Sequence, residues 1–275
     1  MAAILTIRDG STHWWNSPDI WVVPGSDPNG LPGQSIAGQT AFLWARVANT
    51  GMPVTGARVN FYWCNPSTGV LRSQAQFIGS SFVDLNTGET KEVLCLTPWI
   101  PVIVNDGHEC LVAEIIHTSD PLPQPLPDAF APRDYRQVAQ KNLTVLVASR
   151  KMHSLLIQLD ASPRQARELQ LSIVTGGEID KKSLAQLGLA GLKPAKQHNT
   201  KIVFATDNDC DTDPGEGKQE ITVQLKKGES RGIYLKVWPD KIDSNSYIPI
   251  SVIAREGKEK EFGGITYLLI NEKHK

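Results

Sequence analysis

The sequence predicts an all-β protein built as two antiparallel β-sandwiches in tandem, the second carrying a short helical insertion. Three observations carry this reading. Period-two apolar alternation recurs along the chain, as in Ala41 to Val47 and Ile221 to Leu225. Turn residues such as Asn86-Thr87-Gly88 and Lys227-Gly228-Glu229 separate these runs, so strands recur at intervals of roughly ten residues. With 275 residues, 40% of them hydrophobic and 21% charged, the chain can bury two cores of ordinary size.

In chain order, Asp19 to Val23 is the first edge strand, and Pro24 to Gly33 (PGSDPNGLPG) can only be a loop. Ala41 to Val47 puts Leu43, Ala45 and Val47 on one face and Phe42, Trp44 and Arg46 on the other. Asn49-Thr50-Gly51 then turns the chain, with residues suited to positive φ, into Val59 to Trp63. Ser80 to Leu85 and Glu89 to Leu96 form the next pair. The two prolines of Thr97 to Pro101 enforce an extended, unpaired segment. Asp106-Gly107 is a turn, and Glu109 to Ile116, apolar on both faces, suits a central strand. Pro121 to Pro132 is a stiff proline-rich crossing, and Gln140 to Val147 closes the first domain.

Six of the seven tryptophans precede residue 100. This compositional shift supports a boundary near Ala148 to Lys151, giving domains 1–148 and 149–275. In the second domain, Ser154 to Leu159, Glu168 to Val174, Ile221 to Leu225, Arg231 to Val237, Tyr247 to Ala254 and Gly264 to Ile270 are strands. Lys181 to Leu189 has the leucine spacing of one short helix, and Glu256 to Glu261 is a charged turn.

Composition removes several classes of function. A net charge of −1, with basic residues scattered and Lys258 to Lys260 interrupted by Glu259, supplies no field for nucleic acid. The N-terminal stretch has no basic leader or long apolar run, and no window reaches the ~18 apolar residues of a membrane span. The expectation is a cytoplasmic protein without membrane insertion, export by a non-Sec route being the alternative. Four cysteines without a CxxC pair argue against a zinc ribbon and for reduced thiols buried in strands. A disulfide among Cys64, Cys95 and Cys110 is the alternative in an oxidising compartment.

The strand Leu43 to Val47 running into Asn49-Thr50-Gly51, the strand Val59 to Trp63, Thr87-Gly88-Glu89-Thr90, Trp99 with Pro101, and Gly107 to Leu111 form a recognisable set. Over residues 18–147 they resemble the bacterial cell-adhesion-related (CARDB-type) immunoglobulin-like domain. Residues 150–270 follow more loosely, ending in Gly263 to Tyr267 as similar paired domains do. The resemblance implies immunoglobulin-like sandwiches used as scaffolds or binding units. No cysteine occurs in the strand with Trp44, so the B-to-F disulfide of antibody-like domains cannot form.

Asp207 to Asp213 (DNDCDTD) places carboxylates at Asp207, Asp209, Asp211 and Asp213, spacing suited to a hard cation such as Ca²⁺. It departs from the EF-hand pattern, with Thr212 at the glycine position and Lys218 at the closing glutamate. A solvated acidic loop is the alternative. His108 and Cys110 share a strand face, but no third group orients them as a catalytic pair. There is no G-x-S-x-G elbow, P-loop or dinucleotide fingerprint, so the chain reads as non-enzymatic and without a cofactor, Ca²⁺ apart. His13, Trp14, Trp15 and Trp21, with Trp99, form the candidate partner-binding surface, the alternative being that the adjacent tryptophans cover an open sandwich end.

The resulting expectation is a bacterial scaffold or interaction protein, one component of a multi-protein system. It would bind a protein through sandwich loops or through a sheet edge that adds a partner strand. The alternatives are a carbohydrate-binding module, Ca²⁺-assisted through the 207–213 loop, and an enzyme whose site has no sequence signature.

Overall fold

The computed structural model describes residues 2–10, 13–102, 110–208, 217–257, 260–271 and 273, whose regular secondary structure is almost entirely β. The chain divides into two compact units, and neither is one continuous stretch. Unit 1 contains residues 1–64, 70–142 and 180–188; unit 2 contains 65–69, 143–179 and 189–275.

Unit 1 consists of β1 (Leu5–Thr6), β2 (Ile20–Pro24), β3 (Ala41–Asn49), β4 (Val54–Cys64), β5 (Gln76–Leu85), β6 (Glu89–Leu94), β7 (Cys110–Ile116), β8 (Val138–Lys141) and α1 (Lys181–Gln186). In one sheet β3 is central, with β1 and β2 along one side and β6 along the other. The second sheet runs β5-β4-β7-β8, antiparallel throughout. This is immunoglobulin-like connectivity. The expected alternation of β3 is present, with Leu43, Ala45 and Val47 in the core against Val59, Phe61, Ala113 and Ile115. Asn49-Thr50-Gly51 turns by a different device from positive φ. The buried Asn49 amide accepts from the Gly51 N–H at 3.0 Å and donates to the Met52 carbonyl at 2.7 Å. The expected turn at Asp106-Gly107 lies outside the described residues.

A second apolar cluster covers the outer face of β4 and β7, with Val70, Leu122 and Phe130 packed on Cys64, Cys110 and Val112. One arginine locks this cover. Arg72 meets the Glu114 carboxylate with both terminal nitrogens, one of them at 3.1 Å. Its Nε donates to the Pro127 carbonyl at 3.1 Å, and its guanidinium lies 4.1 Å from the centre of the Phe130 ring. Glu114 is 1% exposed, so its charge depends on this partner.

Unit 2 consists of β9 (Leu143–Val147), β10 (His153–Asp160), β11 (Arg167–Thr175), β12 (Lys193–Pro194), β13 (Lys201–Ala205), β14 (Glu220–Leu225), β15 (Ser230–Trp238), β16 (Ser246–Glu256) and β17 (Lys260–Ile270). One sheet runs β10-β15-β13 and the other β14-β11-β16-β17-β9, with β9 parallel to β17 and β12 parallel to β16. Leu155, Ile157 and Leu159 of β10 share one buried cluster with Ile250, Val252 and Tyr267 of the other sheet.

The expected single strand Gln140 to Val147 is two strands serving different units. Asn142 separates them: it is fully buried and its N–H donates to the Trp15 carbonyl at 2.8 Å, so it leaves both ladders. Within unit 2, residues 65–69 run beside β10. The Gln158 N–H donates to the Pro66 carbonyl at 2.7 Å, and Asn65 Nδ2 to Gln158 Oε1 at 2.9 Å. This segment passes so close to β17 that a Cβ on Gly263 would lie 1.4 Å from the Thr68 carbonyl oxygen.

The helix is shorter than expected and completes unit 1. Asp180 caps it, its Oδ1 accepting from the Lys182 N–H at 2.8 Å, and Gly188 at φ +75° ends it.

Candidate interaction edge

A strand at the end of a sheet exposes a row of backbone donors and acceptors, and folded proteins cover or charge such rows. In unit 1 the β8 end is covered. Asn16 bridges to Lys141, and the Ser17 N–H donates to the Gln140 carbonyl at 2.9 Å. Helix α1 seals the same end, with Gln186 donating to the Pro18 carbonyl at 3.0 Å and Lys182 Nζ placed 2.6 Å from Asp19. The end of the facing sheet, β6, carries Glu89, Lys91 and Glu92.

Among the described residues, β5 has neither a covering segment nor a row of charges. Its sequence, QFIGSSFVDL, contains one charge, Asp84. Among the described residues, no backbone–backbone hydrogen bond joins β5 to any segment except β4. Register shifts flank a regular run in which Gly79 to Val83 pairs with Phe61 to Ala57. Phe77 is 59% exposed and Phe82 69% exposed, beside and within that run. Phe77 packs edge-on against Tyr62, whose hydroxyl is pushed up in pKa by burial and by the Glu114 charge. The geometry therefore offers free backbone groups flanked by two aromatic faces.

The tryptophan-rich region is placed differently from the expectation. Trp15, Trp21 and Trp99 are buried and present no face to a partner. Trp15 stacks on His13 at 4.6 Å and meets Trp14 edge-on. Trp21 stacks on Trp44 at 6.0 Å, and Trp99 pairs through its backbone with Ala41. His13 and Trp14 are half-buried. Trp15 is fully buried and Trp14 half-buried, so the pair turns most of its apolar area inward, where it is worth more than on the surface.

Of the candidate cation ligands, Asp209, Asp211 and Asp213 lie outside the described residues, as do His108 and Cys210. Asp207 stands 3.4 Å from the ammonium of Lys236, a fully buried lysine on the outward side of β15. The neighbouring Asn208 accepts from Ser154, the residue opposite Lys236 in the sheet. The beginning of the acidic loop thus answers a buried positive charge. Among the described residues, no group of three histidine, cysteine or acidic side chains could hold a metal.

Two groups near the covered end of unit 1 have pKa values moved to neutrality. Burial raises Asp9 from 3.8 to about 7. Burial, with repulsion from Lys182, lowers Lys141 from 10.5 to about 7 against the opposing pull of Asp180 and Asp19. Such values mark catalytic groups when a substrate can reach them. Lys141 is enclosed and spends its amine on Gln186 at 3.3 Å, so its role is structural.

The linkage has opposite signs. Folded Asp9 keeps a proton that the unfolded chain has lost between pH 3.8 and about 7, so stability falls across that window. Unfolded Lys141 keeps a proton that the folded state lacks between about 7 and 10.5, so stability rises there. Urea unfolding across pH should show Asp9→Asn flattening the first slope and Lys141→Met the second. Unchanged slopes would assign them to other groups.

Among the described residues, no helix is long and apolar enough to cross a membrane. No family model and no curated protein matches the chain. Among solved structures, it is similar to a CARDB domain from Pyrococcus furiosus in complex with di-metal ions. That match has 15% identity and a TM-score of 0.29, covering 51% of this chain and 85% of the other. A second is the CupB6 tip adhesin from Pseudomonas aeruginosa, at 9% identity and a TM-score of 0.25, covering 100% and 99%. A third is CBD12 from CALX1.2, at 10% and 0.20, covering 91% and 98%. Independently of these likenesses, the strand pairing defines an all-β chain, with immunoglobulin-like connectivity in the two antiparallel sheets of unit 1.

Proposed function

We propose that this chain is a non-enzymatic interaction module that takes up an extended segment of a protein partner as an added strand along β5, within a larger assembly. The observation that carries the reading is a strand edge unpaired among the described residues, uncharged from Gln76 to Val83 and carrying two exposed phenylalanines, in a unit whose opposite edge is closed. Main-chain hydrogen bonds would supply affinity, and pockets beside Phe77 and Phe82 would select alternate side chains.

The test uses peptides selected by display against the full chain. Binding should slow amide hydrogen exchange in Gly79 to Val83. Phe77→Lys/Phe82→Lys should weaken it by about tenfold or more while leaving stability within about 0.5 kcal/mol, since both rings are exposed. Binders that protect other strands and ignore both substitutions would overturn the assignment.

A further inference from the structure

Cys64 and Cys110 play no part in the β5 edge. Cys64 ends β4, Cys110 begins β7, and the antiparallel register sets them directly opposite one another. Both are buried thiols, side by side in the cluster under Val70, Leu122 and Phe130. Opposed residues in such a pair hold their Cβ atoms about 4.5–5.5 Å apart, and a disulfide needs about 3.5–4.5 Å, so closure asks for a shift of about an ångström. Strand termini yield such a shift more readily than strand centres.

Cys95 cannot compete. It belongs to the core between the sheets, beside Gly79 and Thr97, whereas Cys64 and Cys110 lie on the outer face. Burial also raises its pKa, leaving less thiolate to react.

We propose that Cys64 and Cys110 are a cross-strand disulfide site, closed by exchange with a low-molecular-weight disulfide such as oxidised glutathione. One cysteine thiolate attacks a sulfur of the small disulfide, forming a mixed disulfide and expelling one small thiolate. The thiolate of the second cysteine then attacks the protein sulfur of the mixed disulfide and expels the other. The protein pair loses two electrons and two protons; the small disulfide gains both and leaves as two thiols. The bond ties the two central strands of the β5-β4-β7-β8 sheet and closes the long loop between them, restricting the unfolded chain. The apolar cover makes exchange fastest during folding, before residues 70–75 and 117–135 have packed.

The experiment refolds the reduced full-length chain in a glutathione redox buffer, quenches with N-ethylmaleimide and maps peptides without reduction. The expected product links Cys64 to Cys110 and leaves Cys95 and Cys210 alkylated. Its urea midpoint should exceed that of protein refolded in dithiothreitol and return to that value on reduction. Cys95→Ala/Cys210→Ala should form the same link, and Cys64→Ser should lose the midpoint shift. Full alkylation of Cys64 and Cys110 in the refolded protein, a link to Cys95 or Cys210, or a lowered midpoint would overturn the proposal.

Discussion

Alanine at Gly263 should destabilise the protein by about 3 kcal/mol or more and release residues 65–69 from unit 2. The added methyl would sit 1.4 Å from the Thr68 carbonyl oxygen and 2.6 Å from its carbon. Both are backbone atoms, so no rotamer change removes the overlap. Retreat of the segment would break the bond from the Gln158 N–H to Pro66 and pull Gly69 from the Phe262 ring, which already fills the space beside it. Urea unfolding gives the energy, and limited proteolysis within 65–69 gives the location. A variant within about 0.5 kcal/mol of the parent, with the segment still protected, would mean that the close approach is not needed.

Removing either partner of the Arg72–Glu114 pair should cost about 3–5 kcal/mol, because the survivor stays in a poorly solvated place without its counter-charge. Glu114→Ala leaves the guanidinium facing an apolar wall, although the Pro127 carbonyl and the Phe130 ring still hold part of it. Arg72→Met leaves a buried carboxylate and should be the worse of the two. Arg72→Met/Glu114→Leu removes both charges and keeps the volume, so it should cost clearly less than the sum of the single changes. A double-mutant cycle in urea measures the coupling. Additive single effects below about 1 kcal/mol would show the pair to be an exposed bridge in practice.

Much of the fold was legible because strand alternation is local. Residues of β3, β11 and β14 carry their own period, and short turns follow β3 and β14. What escaped was non-local. Nothing in Asn65 to Gly69 announces an added strand for β10, and nothing in α1 says that Lys182 belongs with Asp19. Asn142 sits inside an otherwise strand-like run, and its backbone bond to Trp15 is invisible without the fold. The tryptophans gave a sound signal of large apolar area, but area alone does not say whether a ring faces inward or outward. Lys236 falls on the outward side of an alternating strand, yet it is fully covered. β5 did contain a usable signal: two phenylalanines and no charge before Asp84, where β6 next to it has three charges in four residues.

The division of the chain also has a consequence for its synthesis. Residues 180–188 complete unit 1, but 143–179 must leave the ribosome first. Until then Lys141 has no Gln186 and Asp19 has no Lys182, so the nascent first unit emerges with its sealed end still open. Residues 65–69 wait longer still, because the strand that carries Gly263 is made well after residue 188. Vectorial folding, domain by domain from the N-terminus, therefore cannot finish either unit in order. A ribosome pausing before residue 180 would hold an unfinished unit 1 exposed to proteases and chaperones.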